Sequence, residues 1–330
     1  MKSLWFAGNS RVEVIDVPEP KPTADEVVID IKVSALCGSE MGVFRSPAGR
    51  HGNPGHEFVG EIVDTNGHCG FAVGDRVGAH VIVGCGTCAH CQAGDEIFCA
   101  HMLPSGYAHA ERIAVSARHC LRLPDGMDWD TGVLVSGDAM GVAYHLTQRV
   151  GVQAHDTVAV FGCGPVGLGV VALWSFLGAR VIGVDMSPYR RNLAEKLGAW
   201  KTVEAGKKNT LDRLRKLTGG AGPDTCLECT GRPEAVAMAF EAARKGGQVG
   251  LVGEQDQATF NPSRDLIHKE LNVYGAWYFR VSEFPGMVEL CNRGLKPRQV
   301  VTHRFPLEEA QQGYDLMAEQ KCGKVLFVQY

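Results

Sequence analysis

The sequence predicts an α/β protein in which a β-rich domain precedes a doubly wound parallel sheet. Up to about residue 135 apolar residues alternate with polar ones in short runs separated by turns, which is typical of strands. From Asp156 onward buried runs alternate with helical segments, and a glycine-rich turn follows the first of them, as in β-α-β units. At 330 residues, the chain is long enough for two domains.

Charge and composition narrow the choice of partners. The chain has 33 basic and 37 acidic residues and a net charge of -4 without long runs, which argues against a nucleic-acid or membrane surface. The first residues lack a signal-peptide pattern, and no apolar run approaches the length of a membrane span. We therefore expect a cytoplasmic protein with reduced cysteines and a small-molecule partner.

The elements of the β-rich part are short. A proline-rich break at 18–22 and a Gly74-Asp75 turn separate the strand-like runs, so small all-β packing is expected. The predicted strands cover residues 12–17, 27–33, 58–63 and 76–83.

The second part has the rhythm of a parallel sheet. A buried run at 158–161 leads into a helix that ends before Gly178, and a second strand and helix follow directly. The further predictions are strands at 226–229, 248–252 and 271–276 and a helix at 234–245.

The most specific pattern is a four-cysteine lobe. Its spacing, C-x2-C-x2-C-x7-C, lets four thiolates meet at one zinc with every coordination position filled by sulfur. A structural zinc site is predicted, against the alternative of buried or disulfide-bonded thiols. The candidate ligands are Cys85, Cys88, Cys91 and Cys99.

A G-x-G-x-x-G turn lies between the first strand of the parallel sheet and its helix. In that context free backbone N–H groups and the helix dipole face a dinucleotide pyrophosphate, although glycines required only for helix packing are the alternative. The candidate cofactor-binding residues of the turn are Gly162, Gly164, Pro165, Val166 and Gly167.

The choice of dinucleotide depends on the end of the next strand. Asp185 stands there, and a carboxylate accepts hydrogen bonds from both ribose hydroxyls but repels a 2′-phosphate. Arg190 and Arg191 are nearby cations that could neutralise such a phosphate. Asp185 and Arg190 are cofactor-binding candidates, and NAD is predicted over NADP.

Several motifs together resemble those of one family. In chain order they are Cys37-Gly-Ser-Glu, Gly55-His56-Glu57, Gly74-Asp75-Arg-Val77, the four-cysteine lobe, the glycine turn with Asp185, and Glu228-Cys-Thr-Gly231. The chain resembles the zinc-containing medium-chain dehydrogenases of the alcohol, sorbitol and threonine dehydrogenase superfamily. The resemblance implies a GroES-like β-rich catalytic domain, 1–145 with 285–330, and a Rossmann NAD-binding domain, 146–284.

A second, catalytic zinc follows from ligand chemistry together with this resemblance. Cys37 and His56 supply a thiolate and an imidazole, and an open catalytic site needs a third protein ligand. Asp138 is the candidate, because some relatives place an aspartate at this point. Two alternatives remain open: Asp138 caps a helix, or Glu57 is a ligand. We expect Glu57 to be a supporting carboxylate or an exchangeable fourth ligand.

Ser39 is the candidate for the first step of proton transfer. In relatives a hydroxyl two residues after the cysteine ligand bonds the substrate oxygen, because it can both donate and accept; a turn-stabilising role is the alternative. Many alcohol dehydrogenases carry a histidine where this chain has Gly42, which leaves His51 as a candidate for the rest of the path.

The resemblance implies a zinc- and NAD-dependent oxidoreductase with two zincs per chain. The predicted substrate is a secondary alcohol or polyol, or a sugar-derived alcohol. The alternatives are an NADPH-dependent carbonyl reductase on the same scaffold and a catalytically silent paralogue that binds NAD and zinc. The strand at 271–276 resembles the edge through which relatives pair their sheets, so a homodimer or homotetramer is expected.

Overall fold

The computed structural model of the protein describes residues 1–48, 52–67, 70–103 and 106–329. Among these residues no helix is both long and apolar enough to cross a membrane. In chain order the strands are β1 (Lys2–Gly8), β2 (Arg11–Asp16), β3 (Glu26–Ala35), β4 (Glu57–Asp64), β5 (Arg76–Ala79), β6 (Arg112–Ser116), β7 (Cys120–Arg122), β8 (Thr157–Phe161), β9 (Arg180–Asp185), β10 (Lys201–Glu204), β11 (Thr225–Glu228), β12 (Gln248–Leu251), β13 (Asn272–Gly275), β14 (Val301–Pro306) and β15 (Lys324–Val328).

The helices are short, and 3₁₀ turns connect several of them to strands. The α-helices are α1 (Met41–Arg45), α2 (Ala89–Gln92), α3 (Trp129–Val135), α4 (Asp138–Val150), α5 (Pro165–Phe176), α6 (Pro188–Lys196), α7 (Thr210–Leu217), α8 (Pro233–Ala242), α9 (Phe284–Asn292) and α10 (Ala310–Ala318). The 3₁₀ turns are Gly38–Glu40, Glu96–Phe98, Ala117–His119, Ile267–Lys269, Val281–Glu283, Pro297–Val300 and Leu307–Glu309, and Pro262–Leu266 is a π turn.

The chain divides into two compact units, Met1–Gly141 with Arg280–Tyr330 and Val142–Phe279. The first unit is therefore built from both ends of the chain. The domain bounds inferred from the sequence, residues 145 and 285, lie a few residues after the limits of the first unit at Gly141 and Arg280.

The first unit is centred on one large, mainly antiparallel sheet. Its strand order is β14-β15-β3-β4-β5-β7, β6 pairs with β3, and β1 and β2 form a separate hairpin. The last strand, β15, lies antiparallel to β3, with Leu326 opposite Ala35. This pairing brings the last part of the chain beside the segment that carries Cys37.

One predicted strand is longer than the structure allows. The run at 76–83 pairs as a strand only over Arg76–Ala79, where β5 ends opposite Cys120 of β7. The prediction was wrong at its end because the chain leaves the sheet there to enter the cysteine lobe, and periodicity does not register that change.

The second unit contains a six-stranded, fully parallel sheet in the order β10-β9-β8-β11-β12-β13. The order reverses at β8, which lies between β9 and β11. In open α/β sheets such a switch point creates a crevice at the carboxyl ends of the strands, where ligands bind. The glycine turn follows β8 directly and so lies at this crevice.

Candidate metal centres and nucleotide site

The lobe cysteines lie together in the first unit. The ligand atoms of Cys85, Cys88, Cys91 and Cys99 are all within 4.8 Å of one another. The Sγ atom of Cys88 is 3.5 Å from that of Cys91 and 3.8 Å from that of Cys99. A disulfide needs about 2.05 Å, whereas a tetrahedron with Zn–S bonds of about 2.3 Å has edges of about 3.8 Å. The four sulfurs fit zinc.

Local donors act on two of the lobe sulfurs, those of Cys85 and Cys99, whereas burial raises the pKa of Cys91 to about 12. The N–H groups of Cys85 and His101 each lie 3.3 Å from the Sγ atom of Cys99. Hydrogen bonds from the Thr87 hydroxyl and nearby backbone lower the pKa of Cys85 to about 5. Gly84 leaves room for the cluster, since a Cβ there would lie 2.5 Å from Cys91 Sγ.

The second cluster contains Cys37, His56, Glu57 and Asp138, whose ligand atoms also lie within 4.8 Å of one another. Cys37 follows β3, His56 and Glu57 stand at the start of β4, and Asp138 begins α4. The Asp138 Oδ2 atom is 2.8 Å from Cys37 Sγ and 3.3 Å from His56 Nε2. One carboxylate oxygen therefore faces both neighbours.

The tautomer of His56 suits metal binding. Its Nδ1 atom is 2.9 Å from the Pro54 carbonyl oxygen, which can only accept, so Nδ1 carries the hydrogen. Nε2 faces the Asp138 carboxylate, to which it donates while it is protonated. Loss of that proton would leave the Nε2 lone pair for a metal, which is the arrangement usual for metal-bound histidines.

Both oxygens of Glu57 are already engaged. Its Oε2 accepts from the backbone N–H of Asp138 at 3.1 Å, and its Oε1 contacts the ammonium group of Lys324. Glu57 and Lys324 are both fully buried. Gly137 permits the close approach, because a Cβ there would lie 2.3 Å from Glu57 Oε2. Glu57 is thus held as a support for the start of α4.

The ionisation of Cys37 and Asp138 depends on whether a proton or a metal ion lies between them. Burial, together with the Asp138 carboxylate, raises the pKa of Cys37 to about 11. Although burial opposes it, the hydrogen bond from His56 lowers the pKa of Asp138 to about 2. A dication would replace the thiol proton, because it binds the same lone pairs. Thiolate, imidazole and carboxylate are a donor set that fits zinc and leaves a fourth position open.

Ser39 lies at the exposed side of this cluster. Its Oγ atom is 3.3 Å from Cys37 Sγ, and the residue is exposed. A hydroxyl at this place can exchange a proton with water. His51, the other candidate for the proton path, lies outside the described residues.

The glycine turn has the shape that the pattern predicts. Gly162 has a φ of 94°, and a Cβ on Gly167 would lie 1.9 Å from the Gly162 carbonyl oxygen. Pro165 is the first residue of α5 and Gly164 precedes it as the N-cap. A Cβ on Gly164 would meet only the Arg190 guanidinium, at 3.9 Å, among the described residues, so Gly164 borders open space.

Asp185 stands at the end of β9, next to this turn. Its Oδ2 accepts from the backbone N–H of Cys163 and its Oδ1 from that of Ser187, each at 2.7 Å. Each oxygen retains a second lone pair for a further donor. Arg191 is turned toward the backbone, where it donates to the carbonyl groups of Asp185 and Met186 at 2.8 Å.

The structure adds buried residues around the second cluster that the sequence patterns did not reveal. Lys324 and Tyr314 come from the last part of the chain, and His109 and Glu40 complete the set. Of these four residues, only Glu40 belongs to a motif found in the sequence, as the last residue of Cys37-Gly-Ser-Glu.

Comparison with known proteins identifies the family. Residues 165–293 match the model described as zinc-binding dehydrogenase, and residues 23–125 match the alcohol dehydrogenase GroES-like domain. The chain is 33% identical to an uncharacterized zinc-type alcohol dehydrogenase-like protein, YphC, of Escherichia coli, with 99% of this chain and 98% of that protein covered. It is 32% identical to an L-threonine 3-dehydrogenase of Bacillus velezensis, with 95% and 94% covered.

Solved structures agree with this. Alcohol dehydrogenase TADH from Thermus sp. ATN1 has a TM-score of 0.92 at 28% identity, with both chains covered completely. Galactitol-1-phosphate dehydrogenase from Escherichia coli has a TM-score of 0.87 at 26% identity, also with complete coverage of both chains. The predicted GroES-like and Rossmann architecture is confirmed. The chain belongs to the zinc-containing medium-chain dehydrogenases and is an enzyme of that family.

Proposed function

We propose that the protein is a zinc-dependent oxidoreductase that transfers a hydride between a secondary alcohol or polyol, including sugar-derived alcohols, and NAD. The observation that carries the proposal is the convergence of Cys37, His56 and Asp138, whose ligand atoms lie within 4.8 Å of one another. The names of the relatives, which include butanediol and galactitol-1-phosphate dehydrogenases, support this substrate class.

Asp138 is the third ligand in this proposal, and Glu57 supports it. The Asp138 carboxylate is turned toward Cys37 and His56. Both oxygens of Glu57 are held elsewhere, one by the backbone N–H of Asp138 and one by Lys324. Glu57 therefore orients the ligand through the first residue of α4. A second zinc, in the cysteine lobe, brings the proposed total to two per chain.

The chain's own residues supply the binding and proton chemistry. A zinc at this site acts as a Lewis acid that polarises a hydroxyl or carbonyl oxygen. Ser39 accepts the proton of the substrate hydroxyl at Oγ while its own hydroxyl proton passes to solvent. Its exposed position beside Cys37 suits this transfer. The glycine turn binds the pyrophosphate of NAD, which supplies the hydride acceptor.

Asp185 should decide the choice of dinucleotide. Exchange of Asp185 for serine removes the charge that repels a 2′-phosphate, so the affinity for NADP relative to NAD should rise at least about tenfold, or about 1.4 kcal/mol. Titration of each dinucleotide by fluorescence measures this ratio, with Asp156→Ser as the control for the loss of an acidic residue. A wild-type enzyme that already prefers NADP would contradict the assignment.

The substrate class is tested with a panel of primary alcohols, secondary alcohols, polyols and sugar alcohols, assayed for NADH formation by absorbance. We expect the highest kcat/KM among secondary alcohols and polyols. Turnover only with NADPH and a carbonyl substrate would favour the reductase alternative. Zinc and NAD binding without turnover of any substrate would favour a silent paralogue.

We further propose that the protein is a homodimer or homotetramer that pairs through β13. This strand is an edge of the parallel sheet, and Val273 on it is 40% exposed. An uncovered apolar edge strand is a site of association. Light scattering at micromolar concentration should give at least twice the monomer mass, and Val273→Lys should lower it. A monomeric wild type would contradict this proposal.

A further inference from the structure

Glu40 lies three residues after Cys37 and is only 1% exposed. One of its carboxylate oxygens, Oε1, accepts the backbone N–H of Cys37 at 2.9 Å. Glu40 is the last residue of the 3₁₀ turn Gly38–Glu40, and the Glu40 side chain folds back toward the start of this turn. The carboxylate thus holds the backbone of a proposed metal ligand.

The other oxygen of Glu40 is bound by two buried side chains. The Tyr314 hydroxyl donates to Oε2 at 2.5 Å, and His109 Nε2 lies 3.0 Å from the same atom. The second ring nitrogen of His109 is 2.8 Å from Ser34 Oγ. A buried carboxylate is tolerated when its oxygens are satisfied in this way.

The Tyr314 ring is packed among other aromatic rings. The residue is fully buried, and its ring packs edge-on against Phe6 at 5.3 Å and stacks on Phe44 at 5.1 Å. Burial and the neighbouring Glu40 carboxylate raise the pKa of the phenol well above its ordinary value, so the hydroxyl remains a donor. Packing thus aims a permanent donor at Glu40.

We propose that Tyr314 is a positioning residue for the metal site: it fixes the Glu40 carboxylate, which in turn holds the backbone of Cys37 in the geometry that binds zinc. The inference rests on the proposed role of Cys37 as a ligand. Among the residues that the structure describes, Tyr314 is the one donor from the last part of the chain that bonds Glu40 Oε2. Partners that orient a ligand commonly change metal affinity by about 10- to 100-fold when they are lost.

The test is Tyr314→Phe in the zinc-loaded protein. This exchange removes one oxygen and keeps the ring, so packing against Phe6 and Phe44 is retained. Zinc release is followed by competition with a chelator, below the unfolding temperature. We expect the dissociation constant of one zinc to rise at least about tenfold, while the zinc of the cysteine lobe, the internal reference, is unchanged.

Two further variants separate positioning from general destabilisation. Tyr189→Phe removes an exposed hydroxyl from α6, in the other compact unit, and should leave both zincs as in wild type. Glu40→Gln removes the charge that Tyr314 fixes and should loosen the same zinc as Tyr314→Phe. In cobalt-substituted protein, both Glu40→Gln and Tyr314→Phe should shift the thiolate-to-cobalt absorption of that site.

If folded Tyr314→Phe and Glu40→Gln hold both zincs as tightly as wild type, and the cobalt spectrum is unchanged, the positioning role is wrong. A purely structural role predicts that result together with a lower unfolding temperature. A wild type that holds only the lobe zinc would overturn the metal assignment of the proposed function, and this inference with it.

Discussion

Cys37→Ser and Asp138→Asn should each lower turnover by orders of magnitude while NAD binding and the fold are retained. Each exchange removes one of three proposed protein ligands from an open site, and the metal there is needed to polarise the substrate oxygen. The glycine turn and Asp185 lie in the other compact unit, so dinucleotide binding does not depend on these ligands. Steady-state rates, dinucleotide titration and metal analysis measure the three effects.

The matched control is Cys88→Ser in the lobe. A closed four-sulfur site has no position for substrate, so this variant should lose stability and one zinc but retain turnover per folded chain. Metal analysis should give about two zincs in wild type and about one in each of the three variants. If Asp138→Asn keeps near-normal activity and full zinc content, Asp138 is a helix cap and Glu57 becomes the candidate ligand.

Lys324→Met should lower the free energy of unfolding by up to about 3–5 kcal/mol, the cost of a buried carboxylate that has lost its cation. Burial already raises the pKa of Glu57 to about 7 against the effect of Lys324, so in the variant Glu57 should take up a proton, and the loss should grow as the pH rises. Both side chains of this pair are fully buried. Methionine replaces most of the lysine volume, so the effect reports the charge and not a cavity. Urea unfolding followed by circular dichroism measures the change.

Lys321→Met is the control for this experiment. Lys321 pairs with Glu319 at 2.7 Å, but the two side chains are 64% and 55% exposed. Exposed pairs contribute about 0–1 kcal/mol, so this exchange should have little effect. The double variant Lys324→Met with Glu57→Gln removes both buried charges and should recover part of the loss. A Lys324→Met protein no less stable than Lys321→Met would show that the buried pair is not needed.

Features formed by residues close together in sequence could be predicted, because the spacing of those residues is visible in the sequence itself. The cysteine lobe lies within fifteen consecutive residues, from Cys85 to Cys99, so spacing alone indicates that the sulfurs converge. The glycine turn is likewise one strand, one turn and one helix. Both the parallel sheet and the family follow from such short patterns.

Pairs of residues that are distant in sequence left no such pattern. Tyr314 and Glu40 are 274 residues apart, and Lys324 and Glu57 are 267 apart. Such contacts arise because β15 pairs with β3 and α10 packs beside them, and a single sequence does not reveal strand pairing at this distance. The short strands β6 and β7 were also missed, because they are too short to show a clear alternation of apolar and polar residues.

The return of the last segment to the first unit also bears on the order of events during synthesis. The cysteine lobe is complete once residue 99 has emerged, so it can take up zinc while the chain is still growing. The ligands of the second site emerge by residue 138, yet the side chains that hold their supporting carboxylates, Tyr314 and Lys324, are added much later in the chain. A ribosome-bound chain could therefore complete the proposed structural metal site early, and could form the geometry of the proposed catalytic site only after synthesis of β15.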